Sequence, residues 1–190
     1  MNWDLTSEQE LIQKTIREFA QEEVAKGAIE RDRSKKFPQE IFQKLAKLGM
    51  MGLPFPEKYG GGGSDTISFA IVVEELSKAC ASTGITYSAH ISLGAAPINM
   101  FGTEEQKEKY LVPLCTGESL GAFGLTEPEA GSDAGGTQTT AIEEGDSFII
   151  NGNKCFITNA SYAKFLALTA VTNRKEEKKE ITAIIVPTDA

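Results

Sequence analysis

Histidine is almost absent from this sequence, and its scarcity limits the kinds of site that the chain can form. The only histidine among 190 residues is His90. A metal site built from several histidines is therefore excluded, and we predict no metal. A Ser-His-Asp triad that uses His90 stays open on composition, but no GxSxG elbow accompanies it. A lone histidine inside an apolar helical stretch favours a structural role.

Cysteines and long apolar runs are also few. The three cysteines, Cys80, Cys115 and Cys155, lie far apart and form no CxxC motif. This usage is typical of small buried hydrophobic residues in a reducing compartment. No apolar run approaches ~20 residues, so we expect no membrane span. The polar, acidic first residues resemble neither a secretory signal nor a transit peptide, and we expect a cytoplasmic protein.

Basic residues are outnumbered: 19 Lys and Arg face 27 Asp and Glu, which gives a formal net charge of −8. An acidic surface argues against nucleic acid as a partner, because phosphate backbones need Lys and Arg. Phosphate groups can still bind locally to backbone N–H groups and hydroxyls. The GxGxxG and GxxxxGK[ST] motifs are both absent. We interpret the four glycines at 60–63 as a flexible connection.

The first ~115 residues carry apolar side chains at helical spacing. Thr6 with Gln9 and Thr103 with Gln106 have the spacing of capping boxes, which begin helices. Asp65 suits the N-cap of another helix. Hydrophobic residues make up 41% of the chain, enough for one or two modest cores. The sequence therefore predicts an amino-terminal all-α domain.

Near residue 119 the periodicity shifts towards two and β-branched residues increase. The predicted strands are Thr137–Ile142, Ser147–Ile150, Lys154–Thr158, Phe165–Thr172 and Glu180–Pro187. Between the first two, residues 143–146 predict a turn. Asn151-Gly152-Asn153 predicts a hairpin between the second and third, because Asn and Gly accept positive φ. That hairpin would put Phe156 and Thr158 on one face of a sheet.

We therefore predict a multi-domain α and β protein. Its amino-terminal helical domain spans 1–117, and an incomplete, barrel-like all-β domain spans 118–190. Unpaired strand edges are a liability in folded proteins. For that reason we expect the sequence to be cut inside the second domain.

Two segments carry candidate chemistry. In the first, Ser132 beside Gly131 offers a hydroxyl and backbone N–H groups that suit a phosphate or carbonyl, although the residues by themselves favour an ordinary hairpin-like turn. In the second, an aromatic ring at Phe156 and a hydroxyl at Thr158 could bind a flat heterocycle, although an ordinary strand remains the alternative.

Six ordered blocks give the sequence a family likeness. They are FPQEIFQKLAKLGMMGLPFPEKYGG (37–61), VVEELSKAC (72–80), SAHISLGAAPI (88–98), FGTEEQKEKYLVPL (101–114), LTEPEAGSD (125–133) and FITNA (156–160). Together they resemble the acyl-CoA dehydrogenase family, over nearly the whole chain. The third block looks most like the short-chain, butyryl-CoA-like members.

The resemblance implies an amino-terminal helical domain, a middle β domain and a carboxy-terminal helical bundle, with FAD between the last two. It implies that seven residues contact the cofactor: Phe123, Leu125, Thr126, Ser132, Phe156, Ile157 and Thr158. Ser132 would also bind the substrate, close to the pantetheine chain of CoA. Many members have tryptophan where this chain has Phe156, which keeps the stacking surface and lacks the indole N–H.

The family chemistry moves a proton from the α-carbon of an acyl thioester to a carboxylate and a hydride from the β-carbon to the flavin. The carboxylate lies in the carboxy-terminal domain of family members, so we assign no catalytic residue within these 190 positions. Electron-transferring flavoprotein is the implied acceptor, and a homotetramer is the implied assembly. These residues alone are therefore expected to be inactive.

Two other functions stay open. The chain could be a non-catalytic binding or interaction module derived from the family. It could also belong to a flavin monooxygenase on the same scaffold, which would react with oxygen where a dehydrogenase does not. Continuation of the reading frame into a helical domain with a suitable Glu would argue against the non-catalytic module.

Overall fold

The computed structural model describes residues 4–175 and 178–189. Its chain divides into two compact units, Met1–Ser119 and Leu120–Ala190. The first unit is helical and the second is built on a β-sheet, as predicted from the sequence. Within the described ranges, no helix combines the length and the apolar character that a bilayer span requires.

The helical unit contains α1 (Ser7–Phe19), α2 (Ala28–Ser34), α3 (Gln39–Lys47), α4 (Thr66–Ala79), α5 (Ala81–Ala89), α6 (Ala96–Phe101), α7 (Glu104–Gln106) and α8 (Val112–Cys115). Wider, π-type turns extend α1, α5 and α7 over Ala20–Val24, His90–Ala95 and Lys107–Leu111. Large apolar side chains with almost no exposed surface form the core, among them Ile16, Leu45, Leu76, Leu111 and Leu114.

The predicted caps are confirmed. The Thr6 hydroxyl accepts from the backbone N–H of Gln9 at 3.2 Å, and the Gln9 side chain accepts from the backbone N–H of Thr6 at 2.9 Å. The same reciprocal pair begins α7 at Thr103. Asp65 accepts from the N–H of Ser68 at 2.8 Å at the start of α4. These bonds satisfy N–H groups that a helix leaves free, so they set where each helix begins.

The glycine run 60–63 is well ordered, and the interpretation as a flexible connection is wrong. The backbone N–H groups of residues 61–64 donate to carbonyl groups of residues 52–56 at 2.8–3.2 Å. A Cβ on Gly61 would lie 2.1 Å from the carbonyl oxygen of Phe55. Gly61 therefore serves a close approach of two backbone stretches, where a side chain would collide with backbone atoms.

The second unit contains β1 (Phe123–Gly124), β2 (Thr140–Glu144), β3 (Ser147–Asn151), β4 (Phe165–Lys175) and β5 (Lys178–Pro187). Strand β4 is central. It pairs antiparallel with β5 along its length, and parallel with β1 and with β2. Strands β2 and β3 form an antiparallel hairpin whose turn has Gly145 at φ 61°, as predicted. The sheet is therefore mixed.

The predicted hairpin at 151–153 and the strand Lys154–Thr158 are wrong. Residues 152–158 form an irregular segment, in which Phe156 has φ 56° and is 93% exposed. That left-handed conformation is incompatible with a strand, so Phe156 and Thr158 do not alternate on a sheet face. A Cβ on Gly152 would lie 2.6 Å from the Cα of Thr139. The glycine therefore indicates a close backbone contact here, and not a hairpin turn.

Candidate functional site

The two candidate segments lie side by side in the sheet unit. The backbone N–H of Cys155 donates to the carbonyl of Thr126 at 2.9 Å. The ammonium group of Lys154 donates to the carbonyl of Leu125 at 3.0 Å. These two hydrogen bonds therefore connect the first segment, which begins at β1, to the residues that precede Phe156.

Lys154 is the centre of a buried polar cluster. Besides the carbonyl of Leu125, its Nζ donates to Glu127 Oε1 at 2.7 Å and to the hydroxyls of Thr137 and Thr169 at 3.1 Å each. The exposed fractions of the Lys154 and Glu127 side chains are 9% and 3%. One side chain, two residues before Phe156, thus contacts the first candidate segment and the central strand β4.

Glu127 receives further hydrogen bonds from the start of the next chain segment. The Thr137 hydroxyl donates to it in a short bond, and the backbone N–H groups of Gln138 and Thr139 donate at 2.6 and 3.1 Å. Because these N–H groups bind the carboxylate, β2 starts three residues later than predicted. Burial raises the pKa of Glu127. The hydrogen bonds from Lys154 and Thr137 lower it by a larger amount, so the pKa lies well below its usual range. Glu127 therefore stays ionised at neutral pH.

The seven predicted contact residues differ in exposure. Phe123, Leu125, Thr126 and Ile157 are half-buried, whereas Ser132, Phe156 and Thr158 are exposed. A positive φ at an aromatic residue costs about 1–3 kcal/mol and persists only where neighbouring contacts impose it. The two residues before Phe156 are held by such contacts, through the bonds of Lys154 to Leu125 and of Cys155 to Thr126. Ser132 lies in the exposed stretch 131–135, and its proximity to Thr158 stays a prediction.

Lys154 was not among the residues predicted from the sequence. It is the only basic residue between Lys109 and Lys164, in a stretch that contains several acidic residues. That isolation is a usable signal, because a buried carboxylate requires a nearby cation.

His90 has the structural role that the sequence favours. It is fully buried in the helical unit, and its Nε2 lies 2.9 Å from the carbonyl oxygen of Met51. Burial lowers the pKa of His90 to about 4, so the ring is neutral at physiological pH. Among the cysteines, Cys115 is buried as expected, whereas Cys80 and Cys155 are partly exposed; all three are free thiols.

Two family profiles match almost the entire chain. The profile "Acyl-CoA dehydrogenase, N-terminal domain" matches residues 6–118, and "Acyl-CoA dehydrogenase, middle domain" matches residues 122–190. The chain belongs to the acyl-CoA dehydrogenase family. This family membership agrees with the helical unit followed by the sheet unit.

Curated relatives share much of this sequence. A probable acyl-CoA dehydrogenase of Bacillus subtilis, YngJ, is 56% identical over 190 residues, which is 100% of this chain and 50% of that protein. A short-chain specific acyl-CoA dehydrogenase of Clostridium acetobutylicum is 52% identical, over 98% of this chain and 49% of that protein. The chain therefore spans about half the length of the curated relatives that it matches.

Solved structures share its fold. A chain in a structure of the electron transferring flavoprotein of Acidaminococcus fermentans has a TM-score of 0.95 and 46% identity, over 98% of this chain and 49% of that chain. Butyryl-CoA dehydrogenase of Megasphaera elsdenii has a TM-score of 0.92 and 44% identity, over 98% and 50%. An acyl-CoA dehydrogenase of Bacillus anthracis, solved with FAD, has a TM-score of 0.86 and 38% identity, over 98% and 32%.

Proposed function

We propose that this chain forms part of an FAD-dependent acyl-CoA dehydrogenase that introduces an α,β double bond into a short-chain acyl-CoA thioester. The observation that carries the proposal is the joining of the two candidate flavin segments by Lys154 and Cys155. Family membership and the similarity to a short-chain specific relative and to a butyryl-CoA dehydrogenase support the substrate class.

The residues at the joined segments suit FAD chemically. Phe156 presents a ring that is almost fully exposed although its backbone conformation is constrained, which is an arrangement that favours a ligand over a core role. Exposed hydroxyls at Ser132 and Thr158 can donate to or accept from a polar ring edge or a phosphate. An aromatic surface beside hydroxyls is the chemistry that a flavin nucleotide requires.

Each segment has a distinct proposed role. The first, with Phe123, Leu125 and Thr126, would bind the isoalloxazine, and Ser132 would bind the FAD pyrophosphate and the pantetheine of CoA. The second, Phe156–Thr158, would bind the ring system from the neighbouring stretch. When bound, FAD would accept the hydride that leaves the β-carbon of the thioester. The protein groups hold and orient that acceptor, which is the protein's usual share of cofactor chemistry.

The proton acceptor is proposed to lie outside these 190 residues, as the family resemblance implies. The chemistry of Glu127 supports this, because a base must be free to take a proton at working pH. Glu127 instead accepts four hydrogen bonds, and its pKa is well below its usual range. An electron-transferring flavoprotein as acceptor, tetrameric assembly and a cytoplasmic location belong to the same proposal.

Purification of the complete gene product tests this function. We expect a yellow protein that retains FAD through gel filtration and whose flavin absorbance near 450 nm bleaches when butyryl-CoA is added without oxygen. Palmitoyl-CoA is the control for chain length and should bleach the flavin much more slowly. A colourless protein would favour the non-catalytic module. Rapid oxygen consumption with a hydroxylated product would favour the monooxygenase.

A further inference from the structure

We propose that Lys154 and Glu127 are positioning residues, whose buried ion pair fixes the backbone of the first flavin segment against that of the second. The inference rests on the proposed FAD site and extends it to two side chains that need not touch the cofactor. Neither residue is among the seven predicted contacts.

Lys154 connects the segments directly. Its Nζ donates to the carbonyl of Leu125, inside the first segment, while its own backbone lies two residues before Phe156. Its bond to the hydroxyl of Thr169 also attaches both segments to β4. Displacement of this ammonium group would therefore free both the carbonyl of Leu125 and the backbone that leads into Phe156.

Glu127 closes the loop that carries Ser132. The residue stands at the beginning of this loop, and its carboxylate binds the Thr137 hydroxyl and the Gln138 N–H at the loop's end. A backbone bridge between Glu127 and Ala130 narrows the first turn. Both ends of the loop are therefore held by a single carboxylate, and the position of Ser132 depends on its charge.

A contribution to stability alone explains this pair poorly. Taking two charges out of water is costly, and well-packed hydrophobic residues in place of a buried ion pair often stabilise a protein equally or better. The fixed geometry of a charged, multiply bonded pair is what an apolar pair would lack. The location between two candidate cofactor segments makes that geometry useful, because binding groups require support from neighbouring residues.

The test compares Lys154→Met, Glu127→Gln and the double variant in the complete gene product. The control is Lys58→Met, which removes an equivalent Lys–Glu bond of 3.0 Å from an exposed pair in the helical unit. Three quantities are measured: the dissociation constant of FAD from the apoprotein, the visible circular dichroism of the flavin at saturating FAD, and the urea midpoint of unfolding.

We expect each single variant to raise the FAD dissociation constant about tenfold or more, by analogy with outer-sphere residues at metal sites. The double variant carries a neutral pair, so its urea midpoint should recover towards that of the unmodified protein. Its dissociation constant should stay raised and its flavin dichroism altered, because Met cannot donate to the carbonyl of Leu125. Lys58→Met should change none of the three.

Two results would overturn the inference. One is folded variants with unaltered FAD affinity and dichroism, and the other is an affinity that recovers in the double variant together with the urea midpoint. If the unmodified protein binds no FAD, the proposed function itself fails and the inference with it. If Lys154→Met does not fold, Thr169→Val removes one acceptor without changing shape. It should raise the dissociation constant to a smaller degree, and an unaltered constant would contradict the inference.

Discussion

Substitution of Gly61 by alanine should strongly destabilise the helical unit. The added Cβ would lie 2.1 Å from the carbonyl oxygen of Phe55 and 2.8 Å from that of Gly52, whereas ordinary contacts are 3.4–4 Å. The backbone would have to shift by more than 1 Å (3.4 − 2.1 = 1.3 Å). Such overpacking costs about 1–3 kcal/mol. The same shift would weaken neighbouring backbone hydrogen bonds in 61–64, worth about 0.5–1.5 kcal/mol each.

We therefore expect Gly61→Ala to lower the free energy of unfolding by about 3 kcal/mol. Urea denaturation at 25 °C, followed by circular dichroism at 222 nm, measures this change through helix content. Gly131→Ala is the matched control, because a Cβ at Gly131 meets no atom within 4 Å and φ there is not positive. A loss below about 1 kcal/mol for Gly61→Ala would refute the steric reasoning, since it would mean that the loop can move away at little cost.

Three further predictions concern titration, thiol reactivity and cofactor retention. The pKa of His90 is 6.5 in the unfolded chain and about 4 in the folded protein. As the pH falls, the unfolded chain therefore takes up a proton on His90 before the folded protein does. The free energy of unfolding should fall by about 3 kcal/mol as pH drops from 6.5 to 4. Urea titrations of His90→Gln should lack this part of the pH dependence. Burial raises the pKa of Cys80, but hydrogen bonds, chiefly from Ser82, lower it by a larger amount, and the resulting pKa is about 7. Burial alone raises that of Cys115 to about 12, so peptide mapping after brief iodoacetamide treatment at pH 7.5 should find Cys80 alkylated and Cys115 intact. Finally, these 190 residues expressed alone should be colourless after gel filtration and inactive with butyryl-CoA. FAD binding must first offset several kcal/mol of lost translational and rotational freedom, and the proposed site is only part of the cofactor's surroundings. Retention of stoichiometric FAD would contradict this expectation.

Local signals predicted the fold well. The caps at Thr6, Asp65 and Thr103 depend on residues three positions apart, so the sequence contains all of the required information. The turn at Gly145 is equally local, since two residues and one positive φ define it.

Non-local contacts explain the errors. The sequences around Gly61 and Gly152 resemble a flexible linker and a hairpin turn. Each glycine instead allows a close backbone contact with another part of the chain. The bond from Lys154 to Glu127 joins residues 27 positions apart. Nothing in either local pattern specifies a partner at that separation. The resemblance could therefore suggest seven contact residues, which stay a prediction, whereas the ion pair between Lys154 and Glu127 was missed.

The pairing of β1 has a consequence for the order of folding. Strand β1 has two residues, which lie opposite Ala167 and Leu168 of β4, more than 40 positions later. During synthesis the β2–β3 hairpin can close from neighbouring residues, whereas β1 must wait until β4 has left the ribosome. Contacts of such large sequence separation form slowly, because a long loop must close before they are gained. The pairing of β1 with β4 is therefore expected to form after the β2–β3 hairpin, and a nascent chain that ends before residue 167 would hold the first candidate cofactor segment without its partners in β4.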